Sequence, residues 1–132
     1  MPSIAEPSRP TLLLVDDCVA ERELYEHALG TEFNILTASR GSDGVNLAIR
    51  ERPDLVLLDV NMPGIDGWAA CRYIKSHPDT ADIPVVLLTG AGDVDLTQHA
   101  VAVGASALLT KPCPADKLRN TIREALDPGS AA

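Results

Sequence analysis

Three short apolar runs, at residues 12–15, 55–58 and 85–88, constrain the fold of this chain more than any other feature. No polar residue interrupts any of them. A strand with one exposed face alternates polar and apolar side chains, whereas a strand covered on both faces can be apolar throughout. The runs therefore predict buried strands of a parallel sheet. Two weaker strand candidates lie at residues 34–38 and 107–109.

Helical patterns separate the predicted strands, because apolar residues recur there three or four positions apart. Turn-forming residues such as Gly30, Pro63 and Gly104 lie between the segments. The repeated strand–helix order predicts an α/β fold, a doubly wound (βα)5 sandwich with helices on both faces of a parallel sheet. The apolar helix positions are Ala20, Leu24 and Ala28; Val45, Ala48 and Ile49; Ala70 and Ile74; Leu96, Ala100 and Val103; and Leu118, Ile122 and Leu126.

The length of 132 residues leaves room for one domain, and a hydrophobic content of 45% is enough for a core. With 3% aromatic residues, that core must be aliphatic. We expect a flexible N-terminal tail over residues 1–10, the folded domain over 11–126 and a C-terminal tail over 127–132. Pro114 suits the first turn of the last helix.

The net charge of −8 argues against direct binding of nucleic acid, which needs clustered Lys and Arg, and against an anionic membrane surface. No apolar stretch is long enough to span a bilayer. The three cysteines form no CxxC motif, and their odd number makes a disulfide framework improbable. A reducing, cytoplasmic location fits these features.

Polar side chains follow four of the predicted strands at the point where each strand ends. Since the carboxyl ends of parallel strands meet at one edge, where ligands bind in such sheets, these side chains should converge. The set consists of Asp16 and Asp17 after the first strand, Asp59 after the third, Thr89 after the fourth and Lys111, behind Thr110, after the fifth.

Three carboxylates at one edge repel each other and raise each other's pKa values, and a divalent cation relieves this. An all-oxygen ligand set selects a hard ion such as Mg²⁺, which commonly uses one or two carboxylates together with phosphate oxygens. Lys111 offers a positive charge and Thr89 a hydroxyl donor for a phosphoryl group. The set has no His base and no Ser or Cys nucleophile, so a carboxylate that attacks phosphorus fits best.

Each residue of the set also has an ordinary explanation. A single Asp after a strand is usually a helix cap or a turn residue, Thr89 alone could be a cap, and Lys111 alone could be a surface charge. The occurrence of all five at strand ends is much harder to explain by capping, and it favours a functional site.

Four segments of the chain resemble bacterial response-regulator receiver domains, over roughly residues 11–126. The most specific segment is a buried strand, an Asp and an x-N-M-P-G-x-D-G loop. The resemblance implies a flavodoxin-like sheet with strand order 2-1-3-4-5. The segments are LLLVDD at 12–17, PDLVLLDVNMPGIDGW at 53–68, PVVLLTG at 84–90 and GASALLTKP at 104–112.

The resemblance implies that Asp59 accepts a phosphoryl group from a histidine kinase or a histidine phosphotransfer protein. It also implies a Mg²⁺ ion next to Asp59, coordinated directly by Asp17, through water by Asp16, and by the backbone carbonyl of Asn61. Thr89 would bond a phosphoryl oxygen.

Lys111 would pair with the phosphoryl group by the same resemblance, and the Lys111-Pro112 peptide bond would be cis. In the preceding loop we expect Asp66 to cap the third helix and Gly67 to permit a close approach of the backbone.

Two positions depart from the family pattern. Leu108 stands where most receivers carry a Tyr or Phe that reports phosphorylation to partners, and Cys113 replaces the usual aromatic residue after Lys-Pro. The chemistry needs neither aromatic residue, but the usual coupling to partners does. Cys113 near Lys111 could also be a redox sensor, although a small hydrophobic residue is the favoured interpretation.

The favoured function is a phosphorylation-controlled protein-interaction switch in two-component signalling. It would be a stand-alone receiver without an output domain, monomeric or dimerising on phosphorylation, that acts on an unknown protein target. It would be no enzyme beyond its own phosphorylation and dephosphorylation. Asn61 and Ala91, which flank the site, should influence the phosphoryl lifetime by controlling water access. A phosphorylation-independent binding module is the alternative. An aspartyl-phosphate phosphatase is disfavoured, because such enzymes use a second Asp where this chain has Asn61.

Overall fold

The computed structural model describes residues 9–90 and 96–127. The tails predicted at residues 1–10 and 127–132 thus lie mostly outside the described residues. Strands and helices alternate along the described chain. They are β1 (Thr11–Val15), α1 (Val19–Leu29), β2 (Asn34–Ala38), α2 (Gly41–Glu51), β3 (Leu55–Asp59), α3 (Gly67–Ser76), β4 (Val85–Thr89), α4 (Thr97–Ala102), β5 (Ala107–Thr110) and α5 (Ala115–Leu126).

The strands form one sheet with the order β2-β1-β3-β4-β5, and every neighbouring pair is parallel. This confirms the doubly wound fold and the strand order that the resemblance implied. The chain reverses its direction across the sheet between β1 and β3, which makes this the point where a crevice opens at the carboxyl edge.

The apolar runs are uninterrupted because helices cover both faces of the sheet. One face packs against α2, α3 and α4 through residues such as Ala48, Ile74 and Ala100. The other packs against α1 and α5 through residues such as Leu29 and Leu118. Strand residues facing the first side are Leu13, Val15, Val56, Leu58, Val85 and Leu87, and those facing the second are Leu12, Leu14, Leu55, Leu57, Val86 and Leu88.

The predicted apolar face of α1 is wrong. Leu24 is 63% exposed and Ala20 is exposed, whereas Tyr25 and Leu29 are the buried residues of this helix. Tyr25 and Leu29 are also spaced four apart, so the spacing alone could not choose between two adjacent helix faces. Tyr25 and Leu29 pack in the core on this side of the sheet.

Details of two other helix ends, the starts of α5 and α4, differ from prediction. Pro114 lies one residue before α5, at its N-cap, and not in the first turn. α4 begins only after Leu96 and has six residues. Arg52 ends α2 in the left-handed conformation with φ 49°, a role more common for Gly.

No helix within residues 9–90 and 96–127 has the length and apolar character needed to cross a membrane.

Candidate functional site

The carboxyl edge of the sheet collects the polar residues that the sequence placed after the strands. Asp59 and Thr89 are the last residues of the adjacent strands β3 and β4, while Asp16 and Lys111 directly follow β1 and β5. The Lys111 N–H donates to the Thr89 carbonyl oxygen at 2.7 Å, which joins β5 to β4 at this edge. The parallel register therefore brings side chains that are distant in sequence to one rim.

Three carboxylates meet at this rim, as predicted. One oxygen from each of Asp16, Asp17 and Asp59 lies within 4.8 Å of the others. Asp16 and Asp59 are 0% and 3% exposed, and Asp17 is exposed. Such a set of hard oxygen atoms, open to solvent on the Asp17 side, matches the ligands that Mg²⁺ prefers.

Asp16 is held in a fixed position with one oxygen unsatisfied. Its Oδ1 accepts a hydrogen bond from the Cys18 N–H at 2.9 Å, and its backbone oxygen accepts one from Arg22 at 2.7 Å. Its Oδ2 is buried and has no hydrogen-bond partner in the part of the chain that the structure describes. Burial raises the pKa of Asp16 to about 6, although the Cys18 N–H and Lys111 act against that rise.

A buried carboxylate oxygen without a hydrogen-bond partner is unfavourable, and a cation bound among the three carboxylates would give it a partner. The residues of this rim therefore fit a divalent metal. A cation would satisfy Asp16 Oδ2 and cancel part of the repulsion between Asp16, Asp17 and Asp59.

Lys111 supplies the positive charge of the rim. Its Nζ lies 3.2 Å from Asp59 Oδ1 and 3.6 Å from Asp16 Oδ2. Burial by itself lowers the pKa of Lys111, but the Glu21 hydrogen bond and the charges of Asp16 and Asp59 outweigh it and raise the pKa above its ordinary value. Lys111 is thus a cation at physiological pH.

Glu21 is a rim residue that the sequence pattern did not predict, and its Oε1 lies 2.7 Å from Lys111 Nζ. Glu21 belongs to the first turn of α1 and follows no strand, so the strand-end rule could not identify it. The available signal was its position four residues after Asp17, which places it near the same edge once α1 is known to begin at Val19.

The other two predicted site residues lie at the same edge with looser contacts. The Asn61 N–H donates to Asp59 Oδ1 at 3.3 Å, and the Asn61 side chain is exposed. Thr89 is 8% exposed, and its hydroxyl donates a weak hydrogen bond, at 3.5 Å, to the carbonyl oxygen of Gly90. Ala91, predicted to flank the site, lies outside the described residues.

The loop between β3 and α3 fixes the backbone around Asp59. Asp66 caps α3 as predicted, because its Oδ1 accepts a hydrogen bond from the Ala69 N–H at 2.9 Å. A Cβ on Gly67 would clash with the backbone oxygen of Asp59 and lie 2.6 Å from the Cα of Val60. Gly67 thus permits the predicted close approach of α3 to the end of β3.

The backbone after β5 has the cis peptide bond that the resemblance implied, between Lys111 and Pro112. Leu108 is half-buried against the core on the side of α3 and α4. Burial raises the pKa of the Cys113 thiol, and Lys117 only partly offsets this rise. A reactive thiolate needs a lowered pKa, so the redox-sensor alternative loses its physical basis.

Comparison with known proteins places this geometry in a family. The sequence model of one protein family, the response regulator receiver domain, matches residues 12–123 of this chain. The chain belongs to the response regulator receiver domain family. Protein PilH of Pseudomonas aeruginosa is 36% identical to this receiver, over 87% of this chain and 96% of PilH. The solved structure of the chemotaxis protein CheY4 of Vibrio cholerae is 27% identical, with a TM-score of 0.83 over 89% of this receiver and 99% of CheY4.

Other relatives are much longer than the receiver. The response regulator PleD of Caulobacter vibrioides is 44% identical over 105 residues, which are 76% of this chain but 22% of PleD. The similarity to PleD therefore concerns its receiver part. It carries no information about the activity of the remainder.

Proposed function

We propose that Asp59 of this receiver accepts a phosphoryl group and thereby switches the binding of a protein partner. The observation that carries the proposal is the position of Asp59. It is buried at the end of β3, within the three-carboxylate cluster and 3.2 Å from Lys111 Nζ. A carboxylate fixed between a cation and a metal-type ligand set can act as a nucleophile toward phosphorus.

In the transfer step, a carboxylate oxygen of Asp59 forms a bond to phosphorus while the bond from phosphorus to the donor breaks. With a phosphohistidine donor, the imidazole leaves with the electron pair of the P–N bond and takes up a proton. Lys111 then pairs with a phosphoryl oxygen, and Thr89 donates its hydroxyl hydrogen to another. The donor would be a histidine kinase or a histidine phosphotransfer protein.

Asp16, Asp17 and Asp59, with the backbone carbonyl of Asn61, would hold Mg²⁺. The unsatisfied Oδ2 of Asp16 supports this assignment. When bound, the ion neutralises charge on the phosphoryl oxygens.

The proposed unit is the folded domain at residues 11–126, acting in the cytoplasm as a monomer or as a phosphorylation-dependent dimer. It would be a signalling protein and not an enzyme that turns over a separate substrate. Leu108 at the position of the usual aromatic reporter favours a second candidate, a binding module that works without phosphorylation. Against it stands the complete set of rim residues, which such a module would not need.

The test is phosphorylation by acetyl phosphate with Mg²⁺, followed by intact-protein mass spectrometry. We expect the wild-type protein to gain the mass of one phosphoryl group and Asp59→Asn to gain none. Asp54→Asn is the matched control, because Asp54 is an exposed Asp that directly precedes β3, and this variant should behave as wild type. Phosphorylation of Asp59→Asn, or no phosphorylation of the wild type, would contradict the proposal.

A further inference from the structure

The contact between Glu21 and Lys111 is not explained by the proposed function. Glu21 Oε1 lies 2.7 Å from Lys111 Nζ, closer than Asp59 Oδ1 at 3.2 Å and Asp16 Oδ2 at 3.6 Å. The proposed chemistry needs this ammonium group for a phosphoryl oxygen. Within residues 9–90 and 96–127, the nearest partner of Lys111 is thus a residue that takes no part in the transfer.

The ammonium group of Lys111 has three N–H donors and no acceptor. Three carboxylates surround it, so each donor has a negatively charged neighbour before a phosphoryl group arrives. The Lys111 side chain is 18% exposed, which leaves little room for water to take over a partner. An incoming phosphoryl oxygen must therefore displace or share one of these contacts.

Glu21 is the contact that has to yield. Asp59 becomes an acyl phosphate and carries the phosphoryl group, and Asp16 remains fixed by the Cys18 N–H at 2.9 Å. Glu21 reaches Lys111 from a helix turn, and its side chain is 34% exposed, so it can turn toward solvent. Its charge also repels a phosphoryl group that carries about two negative charges.

We propose that Glu21 is a positioning residue that competes with the phosphoryl group for Lys111 and so favours the unphosphorylated receiver. This inference rests on the proposed phosphorylation of Asp59. Glu21 holds the ammonium group at the α1 side of the rim, and phosphorylation moves that group away from it. The residue thus sets how much of the protein is phosphorylated at a given donor supply.

A purely structural role makes a different prediction. An acidic residue in the first turn of a helix interacts favourably with the helix dipole. If that were all, neutralising Glu21 would lower the stability of the fold and leave the affinity for a phosphoryl group unchanged. Competition for Lys111 requires a change in that affinity, whatever happens to stability.

The test uses beryllium fluoride, which mimics a phosphoryl group on a carboxylate, at Mg²⁺ concentrations that saturate each variant. Bound fluoride is measured by fluorine NMR on the full chain. We expect Glu21→Gln to bind beryllium fluoride roughly two- to fivefold more tightly than wild type, the range that corresponds to a partly exposed ion pair. Its rate of phosphorylation by acetyl phosphate should rise in parallel.

Glu23→Gln is the matched control, because Glu23 is an exposed residue of the same helix and the substitution removes the same charge. Its affinity should equal that of wild type. Glu21→Asp, which keeps the charge, should bind less tightly than Glu21→Gln. Thermal unfolding of each variant shows whether the fold is intact.

Two results overturn the inference while leaving Asp59 as the acceptor. In the first, the affinity of Glu21→Gln for beryllium fluoride is equal to or lower than that of wild type. In the second, Glu21→Gln and Glu23→Gln gain affinity equally. If wild type binds no beryllium fluoride at all, the proposed function fails and the inference fails with it. The wild-type measurement therefore distinguishes the two failures.

Discussion

The interior of the sheet and its carboxyl rim are built from the same strands but differ in what they contribute. In the interior, residues 12–15, 55–58 and 85–88 are at most 2% exposed and entirely apolar. One residue beyond β1, Asp16 is just as buried, but it carries a carboxylate with an unsatisfied oxygen. Burial therefore stabilises the fold in the interior and costs stability at the rim.

The two regions differ because burial acts oppositely on apolar and charged groups. Each fully buried aliphatic side chain contributes about 1.5–3 kcal/mol to folding. A buried carboxylate loses hydration, and near other carboxylates it is destabilised further. The rim therefore stores an unfavourable interaction that a cation can release, and the interior offsets its cost.

The largest expected effect is in the interior. Leu57→Ala removes a fully buried side chain of the central strand β3 and leaves a cavity. We expect the free energy of unfolding to fall by about 2–5 kcal/mol, measured by urea denaturation. Leu24→Ala, at a 63% exposed position, is the control and should change it by less than about 0.5 kcal/mol. Equal effects of the two substitutions would remove the distinction between interior and surface.

Gly67→Ala acts where the interior meets the rim. The added Cβ would clash with the backbone of Asp59 and Val60, neither of which can move freely at the end of a central strand. We expect a loss of about 1–3 kcal/mol in stability and slower phosphorylation by acetyl phosphate. The control for stability is Gly90→Ala, whose Cβ would lie 3.6 Å from the Asn61 side-chain nitrogen, its nearest neighbour among the described residues and an ordinary contact. Unchanged stability and phosphorylation in Gly67→Ala would show that the close approach has no effect.

Much of the interior and of the rim could be predicted from the sequence. A continuous apolar run must be covered on both faces, so β1, β3 and β4 could be placed to within one residue. Asp59 and Thr89, predicted to follow their strands, are the last residues of those strands. The convergence of Asp16, Asp59 and Lys111 followed from the rule that parallel strands end at one edge. The strand order itself came from the family resemblance.

The remaining features depend on side-chain packing, which periodicity does not encode. The spacing of apolar residues in α1 fitted two adjacent faces, and Leu24 was assigned to the buried one although Tyr25 covers the sheet. Glu21 reaches Lys111 only because α1 starts where it does and its side chain extends back over the rim. Arg52 takes a left-handed conformation that its residue type does not suggest.

The smallest stability effect expected is at Asp16 in metal-free protein. Burial raises the pKa of Asp16 from 3.8 to about 6, so the folded protein binds this proton more tightly than the unfolded chain. The proton therefore contributes stability that is fully present below pH 3.8 and is lost as pH rises through 6. Asp16→Asn has no such charge. We expect it to be more stable than wild type near neutral pH by roughly 1 kcal/mol, because the lost pairing with Lys111 offsets part of the gain. The difference should shrink as pH falls toward 4.

The most direct test of the account adds Mg²⁺ to this same pair of proteins at neutral pH and compares their free energies of unfolding. Wild type should gain stability with Mg²⁺, by about 2.7 kcal/mol at a concentration one hundred times its Kd, and become the more stable of the two. Asp16→Asn should gain much less. If wild type gains nothing, the carboxylates of the rim do not form a metal site. If both proteins gain equally, Asp16 is not part of that site, and in either case the central claim is wrong.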